Sequence, residues 1–454
     1  MSAREVGLLP GREPFRPAWA LAGLALLVVC LLLRSWTNLT RPGLYVEDAI
    51  LFNWYYGHTR PLSDIFTSHI GQNYLTLIPD FLAWSYAWAD VRWQPFLYQW
   101  SGFALAVASV ATVSFSGLVR NRLLLVVCPL ALGLTGLNHL YYYNTLIYTM
   151  YTGVLMLLAL LLYPPPATAR SFVLQAVLLT VLPWSGPYSL LALPVVLFLF
   201  VCTANRTRQV LLLIAGISTL AYWATVSGST VQLTNLLRPW VPIQYLQTVF
   251  DKIFFFDFTK HLPMWYGFFL LLVIASLSWL LRRDREYLRQ TSVMLGLIFA
   301  SLLLFFLSVK LAQYISTSNC HRVVASFFWV LFLVVTADRL LGRCPLRSPW
   351  PLVCAGLLLT LVVLDNRRHP DKGWARPMSA LPVYLETVRF YEGQGLAEKN
   401  QAVCLHLPSA RAMYPGILVG HRGIGTRLLL PQDAEIVRGR RFVCPHHRFK
   451  EKRE

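Results

Sequence analysis

The chain has 454 residues, of which 56% are hydrophobic and 13% are charged, and its mean hydropathy is +0.52. This composition lies outside the range of water-soluble globular domains and excludes a soluble fold. The net charge of +19 would indicate nucleic-acid binding in a soluble protein, but here the Lys and Arg residues form short clusters between apolar runs and therefore indicate membrane topology.

Apolar runs of roughly 17 to 25 residues recur along the chain, and lipid leaves helices as the way to satisfy their backbone polar groups. The first run is followed by Arg34, Ser35 and Trp36 instead of a small-residue cleavage site, so we expect a retained helix and not a signal peptide. The sequence predicts an all-α polytopic membrane protein with about eleven spans, at residues 18–34, 95–118, 123–139, 146–163, 171–184, 188–203, 209–226, 263–281, 291–309, 323–337 and 349–366.

The loop charges predict the orientation of these spans. With the N-terminus in the cytoplasm, the arginine clusters all fall on the cytoplasmic side, as the positive-inside pattern requires: Arg120/Arg122, Arg170, Arg206/Arg208, Arg282–Arg289 and Arg339–Arg347. Residues 74–89 are apolar, but a crossing there would invert every later loop and bury Asp80. We therefore expect a helix lying at the membrane surface, inside a first external loop of about sixty residues.

The chain divides into two predicted domains. Residues 1–366 form the transmembrane domain, and residues 367–454, which are polar and rich in proline, form a small external domain of mixed α/β structure. The eight cysteines show no metal-ligand spacing. Cys404 and Cys444 both fall in the external domain, where an oxidising periplasm permits a disulfide; two free thiols are the alternative.

Two adjacent acids, Glu47 and Asp48, follow the first span at the predicted outer boundary of the membrane. Acidic groups at that depth are costly unless they have a task or a partner. Such a pair suits general-base catalysis on an acceptor hydroxyl. The alternative is an acid that caps a helix beginning at Ala49.

The first external loop continues with polar side chains suited to a polyhydroxyl ligand. His58 and His69 could ligate a metal with Asp48 or Asp64, but their spacing matches no recognised pattern, and no metal site is predicted. Aromatic turns at Tyr141–Asn144 and Trp184–Tyr188 would roof a sugar-binding cavity. The predicted substrate-binding residues are His58, His69, Gln72, Asn73, Tyr74 and Asn144.

Arg322 opens the tenth predicted span on the same external side. An arginine at a membrane boundary commonly extends to the lipid headgroups; turned inward, its planar guanidinium matches phosphate oxygens. His321, Lys310 and Lys260 are candidate helpers in binding a donor phosphate.

On these residues the chain resembles the GT-C superfamily of membrane glycosyltransferases, which use polyprenyl-phosphate-linked sugars. Glu47-Asp48 stands at the acidic position near the start of the first external loop, residues 61–90 at the interfacial helices, and His321-Arg322 at the Arg-containing motif that opens a late helix. The similarity covers the whole chain as architecture. Val323 follows Arg322 where many members have Tyr.

The resemblance implies transfer of a sugar from a polyprenyl-phosphate donor to a surface polysaccharide, O-antigen or pilin on the periplasmic face of a bacterial inner membrane. Asp48 would be the base, Glu47 its partner, and Arg322 the cation that stabilises charge on the leaving phosphate. Members work without a nucleotide, and some use Mg or Mn. The expected partners are the lipid-linked donor, a glycan or protein acceptor and membrane lipids, with no nucleic acid.

Two other functions fit the same pattern. The first is a flippase or transporter for lipid-linked sugars, but transporters place binding groups near the membrane midplane and show repeat symmetry, whereas the polar residues here gather at one face. The second is a structural or assembly subunit without catalysis.

Overall fold

A computed structural model of the protein describes residues 15–40, 42, 48, 51, 55, 61–66, 75–90, 93–137, 143, 145–226, 245–246, 248–254, 284–307, 322–342, 349–368, 403–406 and 425–428. The α-helices of this part are α1 (Pro17–Thr40), α2 (Leu77–Tyr86), α3 (Gln94–Ser114), α4 (Arg122–Ala131), α5 (Thr149–Leu160), α6 (Ala169–Val181), α7 (Ala192–Cys202), α8 (Arg206–Thr225), α9 (Arg285–Leu307), α10 (Val323–Leu341) and α11 (Trp350–Arg368). Short 3-10 helices (Leu62–Phe66, Leu182–Ser185 and Pro187–Leu191) and π-helical turns (Leu132–Gly136 and Thr248–Phe254) connect or extend them.

The predicted helices are found wherever the structure describes the chain. Every predicted span except 263–281, which lies outside the described residues, contains a helix. Within the described residues, four stretches are long and apolar enough to cross a membrane: Pro17–Trp36, Gln94–Ser114, Arg285–Leu304 and Val323–Leu341. The other apolar helices are shorter, so the total of about eleven spans stays a prediction.

The predicted external C-terminal domain is described only at two strands, β1 (Val403–His406) and β2 (Gly425–Leu428). They pair antiparallel, with Val403 opposite Leu428. The remainder of residues 369–454, including Cys444, lies outside the described residues. The predicted mixed domain and its disulfide therefore stay predictions.

Several helices expose large apolar side chains, which agrees with a location in lipid. On α1 Leu33 is 71% exposed, on α7 Val201 is 84% exposed, and on α11 Leu352 is 67% exposed. Water would penalise such surfaces, whereas lipid does not. Helix α10 is the opposite case, because its central aromatic residues Phe327, Phe328 and Trp329 are buried. This helix forms the centre of the described bundle.

Helices α1 and α4 run parallel, and this direction constrains the intervening loop. Gly23 of α1 packs against the backbone of Val126 in α4. Further along both segments, Leu27 of α1 packs against Gly133, in the π-helical turn that follows α4. With α3 running between them, the parallel direction agrees with the predicted topology, in which residues 74–89 do not cross the membrane. Helix α2, within the predicted surface segment 74–89, has ten residues and a length of about 15 Å, half of an apolar bilayer core of roughly 30 Å.

Buried polar contacts join the turns at one end of the bundle. Asp338 near the end of α10 accepts hydrogen bonds from the backbone N–H groups of Arg120 (2.9 Å) and Asn121 (2.7 Å). Next to it, Arg339 forms an ion pair with Asp284 (3.0 Å). We call this end, formed by residues 116–121, 161–168, 203–208 and 284–290, the basic end. The opposite end, which contains Asp48 and residues 145–148, 182–191 and 322, is called the Asp48 end.

Gly102 of α3 provides a test of how tightly the Asp48 end is packed. A Cβ atom at Gly102 would collide with the backbone of Thr145, whereas a Cβ atom at Gly296 in α9 would meet no atom within 4 Å. We expect Gly102→Ala to destabilise the protein by about 1–3 kcal/mol through overpacking, and Gly296→Ala to stabilise it by roughly 0.5–1 kcal/mol through helix propensity. Thermal unfolding in detergent measures both, and equal midpoints for the two variants would contradict this packing.

Candidate functional site

Asp48 is fully buried and holds the turn that precedes α5. Its Oδ1 atom accepts a hydrogen bond from the backbone N–H of Ile147 (2.8 Å), and its Oδ2 atom accepts one from the N–H of Leu146 (3.1 Å). Two backbone donors of this kind stabilise the ionised carboxylate and fix its orientation. Asp48 therefore joins the first external loop to the bundle.

The sequence predicts a second role for the same carboxylate, as a general base. Both of its oxygens accept from the turn at Leu146 and Ile147, and a carboxylate oxygen can accept more than one hydrogen bond. A carboxylate held this way is preorganised to accept a proton from a hydroxyl group, provided that the hydroxyl reaches it. Anchoring and proton transfer are thus compatible at Asp48.

A second buried acid lies near the described residues of the same segment. Asp48, Leu51 and Tyr55 are each in a helical conformation and fully buried. The hydroxyl of Tyr55 donates to Oδ1 of Asp80 in α2 (2.9 Å), and the hydroxyl of Thr76 donates to Oδ2 (2.6 Å). Asp80, which argued against a crossing at residues 74–89, thereby attaches α2 to Tyr55, which precedes it in the chain.

Stacked tyrosines lie directly after the turn that Asp48 binds. The rings of Tyr148 and Tyr151 stack with centroids 5.5 Å apart, and Tyr151 contacts Tyr188 at 5.8 Å. Trp184 packs edge-on against Phe66 and donates its Nε1–H to Ser218 Oγ (3.1 Å). The predicted aromatic turn at residues 184–188 is therefore at the Asp48 end, where its tyrosine packs against other rings.

A charged cluster that the sequence analysis did not single out connects the first and last described membrane helices. Arg34 of α1 and Asp365 of α11 are both buried and interact electrostatically, and Arg34 interacts likewise with Tyr143. Burial raises the pKa of the Tyr143 phenol above its ordinary value, against the opposing effect of Arg34. Tyr143 therefore stays neutral and donates its hydroxyl proton to the Gly133 carbonyl in the π-helical turn. In the sequence, Arg34 and Asp365 resemble the charges that ordinarily flank a membrane helix. Their position close to apolar runs was the signal that could have identified them as buried.

Arg322 stands at the start of α10, at the Asp48 end. It is 8% exposed, so most of its side chain lies inside the protein and does not extend along the outer surface. Helix α10 reaches Asp338 at the basic end about 24 Å away, which places Arg322 at the same end as Asp48. This position agrees with the inward orientation that phosphate binding requires.

The other predicted site residues lie outside the described residues, and their roles stay predictions. They are the second acid, Glu47; the phosphate-binding candidates His321, Lys310 and Lys260; and the substrate-binding candidates His58, His69, Gln72, Asn73, Tyr74 and Asn144. In the described part of the chain, no group of three or more His, Cys, Asp or Glu side chains is arranged to hold a metal ion.

Comparison of the chain with protein-family models, with curated proteins and with solved structures finds no match. The resemblance to GT-C glycosyltransferases therefore rests on the residues and architecture given above.

The two buried acids predict contrasting effects of one substitution. In Asp48→Asn, one of the two backbone N–H groups faces the NH2 group of the new amide, which cannot accept a hydrogen bond. We expect the free energy of unfolding to fall by about 1–3 kcal/mol. In Asp80→Asn, the hydroxyls of Tyr55 and Thr76 can rotate to accept from the new amide, and we expect a loss below about 1 kcal/mol. Thermal unfolding of both variants in detergent measures the difference. A greater loss for Asp80→Asn would contradict the anchoring role of Asp48.

Proposed function

We propose that the chain is a membrane glycosyltransferase that moves a sugar from a polyprenyl-phosphate donor to an acceptor, which is a surface polysaccharide, an O-antigen or a pilin, on the periplasmic face of a bacterial inner membrane. The observation that carries this proposal is the position of Asp48 and Arg322, both buried, at one end of the bundle. A base for the acceptor and a cation for the leaving phosphate are the two groups that this transfer needs.

The reaction follows from these roles. The acceptor oxygen attacks the anomeric carbon of the donor sugar, and the bond from that carbon to the lipid phosphate breaks. Asp48 takes the proton of the acceptor hydroxyl, and the electron pair of the broken bond stays on the phosphate, which gains negative charge. Arg322, with its planar guanidinium, stabilises that charge. Glu47 completes the acidic pair beside Asp48.

The distribution of buried charge favours an enzyme over a flippase. Among the described residues, the buried charged side chains lie near helix ends: Arg34, Asp48, Asp80, Arg208, Asp284, Arg322, Asp338, Arg339 and Asp365. Transporters place substrate and ion sites near the membrane midplane, commonly where helices are broken. The described buried charges lie toward the two ends of the bundle and not at its middle, which favours chemistry at a membrane face over transport through the midplane.

Substitution of Asp48 tests the proposed catalytic role. In membranes supplied with radiolabelled undecaprenyl-phosphate hexoses, we expect Asp48→Asn to lower the rate of sugar transfer per folded protein by about 10²–10⁴-fold, because it removes the base. Asp80→Asn, which neutralises another buried acid at the same end, is the matched control and should keep the rate within about threefold.

The folded fraction of each variant is measured by size-exclusion chromatography, so that a loss of the structural anchor is separated from a loss of chemistry. Retained transfer in folded Asp48→Asn would remove Asp48 as the base. Movement of the intact lipid-linked sugar across the membrane without any transfer would instead identify a flippase.

The proposal also requires the Asp48 end to face the outer compartment, with the basic end in the cytoplasm. Ser63 and Thr207 are exposed at opposite ends and allow a labelling test in a cysteine-free background. A membrane-impermeant maleimide should label Ser63→Cys in intact spheroplasts and Thr207→Cys only after permeabilisation. The reverse pattern would falsify the periplasmic reaction.

A further inference from the structure

A cavity of about 350 Å³ opens at the basic end, on the side of the bundle opposite to Asp48. It lies between the turn after α3, the turn after α5 and the first turns of α8 and α9. Its charged lining residues are Arg120, Arg208, Arg289 and Glu286. The proposed sugar transfer makes no use of this cavity.

The positive charges of the cavity exceed the negative charge. Arg208 and Arg289 lie within electrostatic range of each other, so like charges are brought together in a partly buried place. Among the described residues, Arg120, Arg208 and Arg289 form no ion pair with a carboxylate, whereas Arg339 takes both Asp284 (3.0 Å) and Glu286 (3.7 Å). A bound anion would relieve the repulsion between the two guanidinium groups.

The donors of the cavity are held in place by backbone contacts. Arg208 is buried and donates to the carbonyl groups of Leu160 (3.4 Å) and Leu161 at the end of α5, which orients its guanidinium without neutralising it. The Nε atom of Arg120 is buried and has no hydrogen-bond partner in the described part of the chain. A buried guanidinium N–H of this kind requires an acceptor. The backbone N–H of Arg120, bound to Asp338, fixes the residue beside the cavity.

The remaining lining combines leucines and prolines with the polar side chains of Ser116, Tyr163, Thr203 and Gln290, and its apolar part lies next to a surface suited to lipid. Leu161, Leu162, Leu199 and Leu212 contribute side chains to the cavity wall. On α8, Leu213 is 48% exposed on the outer surface of the bundle. A ligand that fits this lining carries a compact anionic group joined to an apolar part. Basic pockets between membrane helices on the cytoplasmic side bind anionic lipid headgroups in this way.

We propose that the cavity at the basic end binds a phosphate group, with Arg120, Arg208 and Arg289 as its donors, and that an anionic phospholipid of the adjoining leaflet supplies this group. A phosphodiester presents several acceptor oxygens to the guanidinium forks, and the attached glycerol and first methylenes lie along the leucines. Soluble phosphate shares the anionic chemistry but not the apolar part. The site is independent of the proposed sugar transfer at the other end.

The experiment uses the purified full chain in a nonionic detergent. Native mass spectrometry measures binding of dioleoylphosphatidylglycerol, with dioleoylphosphatidylcholine as the zwitterionic comparison, and calorimetry measures binding of inorganic pyrophosphate. The test variant is Arg120→Gln/Arg289→Gln, which leaves the backbone contact of Arg120 with Asp338 in place. The control is Arg206→Gln, because Arg206 is exposed at the same end and does not line the cavity.

We expect the wild-type protein to bind phosphatidylglycerol in preference to phosphatidylcholine. The double variant should bind phosphatidylglycerol at least about tenfold more weakly, whereas Arg206→Gln should bind it as the wild type does. Binding of pyrophosphate alone, with the same dependence on the variants, would keep the phosphate site and assign it to a soluble ligand. If both probes bind the double variant as well as the wild type, or neither binds the wild type, the proposal is overturned. Should the double variant not fold, Arg289→Gln alone gives the same comparison.

Discussion

An ionised side chain is costly to place in an apolar layer, and this constraint governs the described bundle. Asp338 and Arg339 close one end of α10, where they bind a turn, Asp284 and Glu286, and Arg322 stands at the other end. Between them the helix is lined by buried aromatic and aliphatic side chains. Because the described charged contacts of α10 lie at its two ends, its middle contributes mainly packing.

At the Asp48 end, one residue has an observed structural role and, in our proposal, a chemical one. The backbone donors at Leu146 and Ile147 stabilise a carboxylate in its ionised form, and a general base must be ionised before it can accept a proton. A base whose carboxylate is already held in place also needs less movement of its side chain during the proposed reaction. The close approach of Gly102 to Thr145 makes this turn rigid, so that a change in α3 would displace the donors of Asp48. Geometry at the proposed site therefore depends on packing some distance from it.

Hydropathy and arginine placement are local properties of the sequence. They were therefore informative about where the helices lie and about the direction in which each helix runs relative to the others. They gave no access to the partners of the buried acids. Asp48 is bound by N–H groups 98 and 99 positions further along the chain, and the Arg34 and Asp365 pair joins the first described helix to the last. Backbone donors also carry no side-chain signature, so the turn at 146–147 could not be recognised as the partner of an acid.

The basic end gives the arginine clusters a second physical role. To set the orientation of a helix, an arginine needs only to stay out of the apolar layer. An exposed side chain such as Arg206 is sufficient for this. Burial of Arg208 costs desolvation free energy that topology does not require, and the nearby charge of Arg289 adds to this cost. The carbonyl groups at the end of α5 offset part of it through hydrogen bonds, but neutral dipoles do not cancel a net charge. A counter-charge from outside the protein accounts for the remaining part, and the adjoining leaflet is its nearest source.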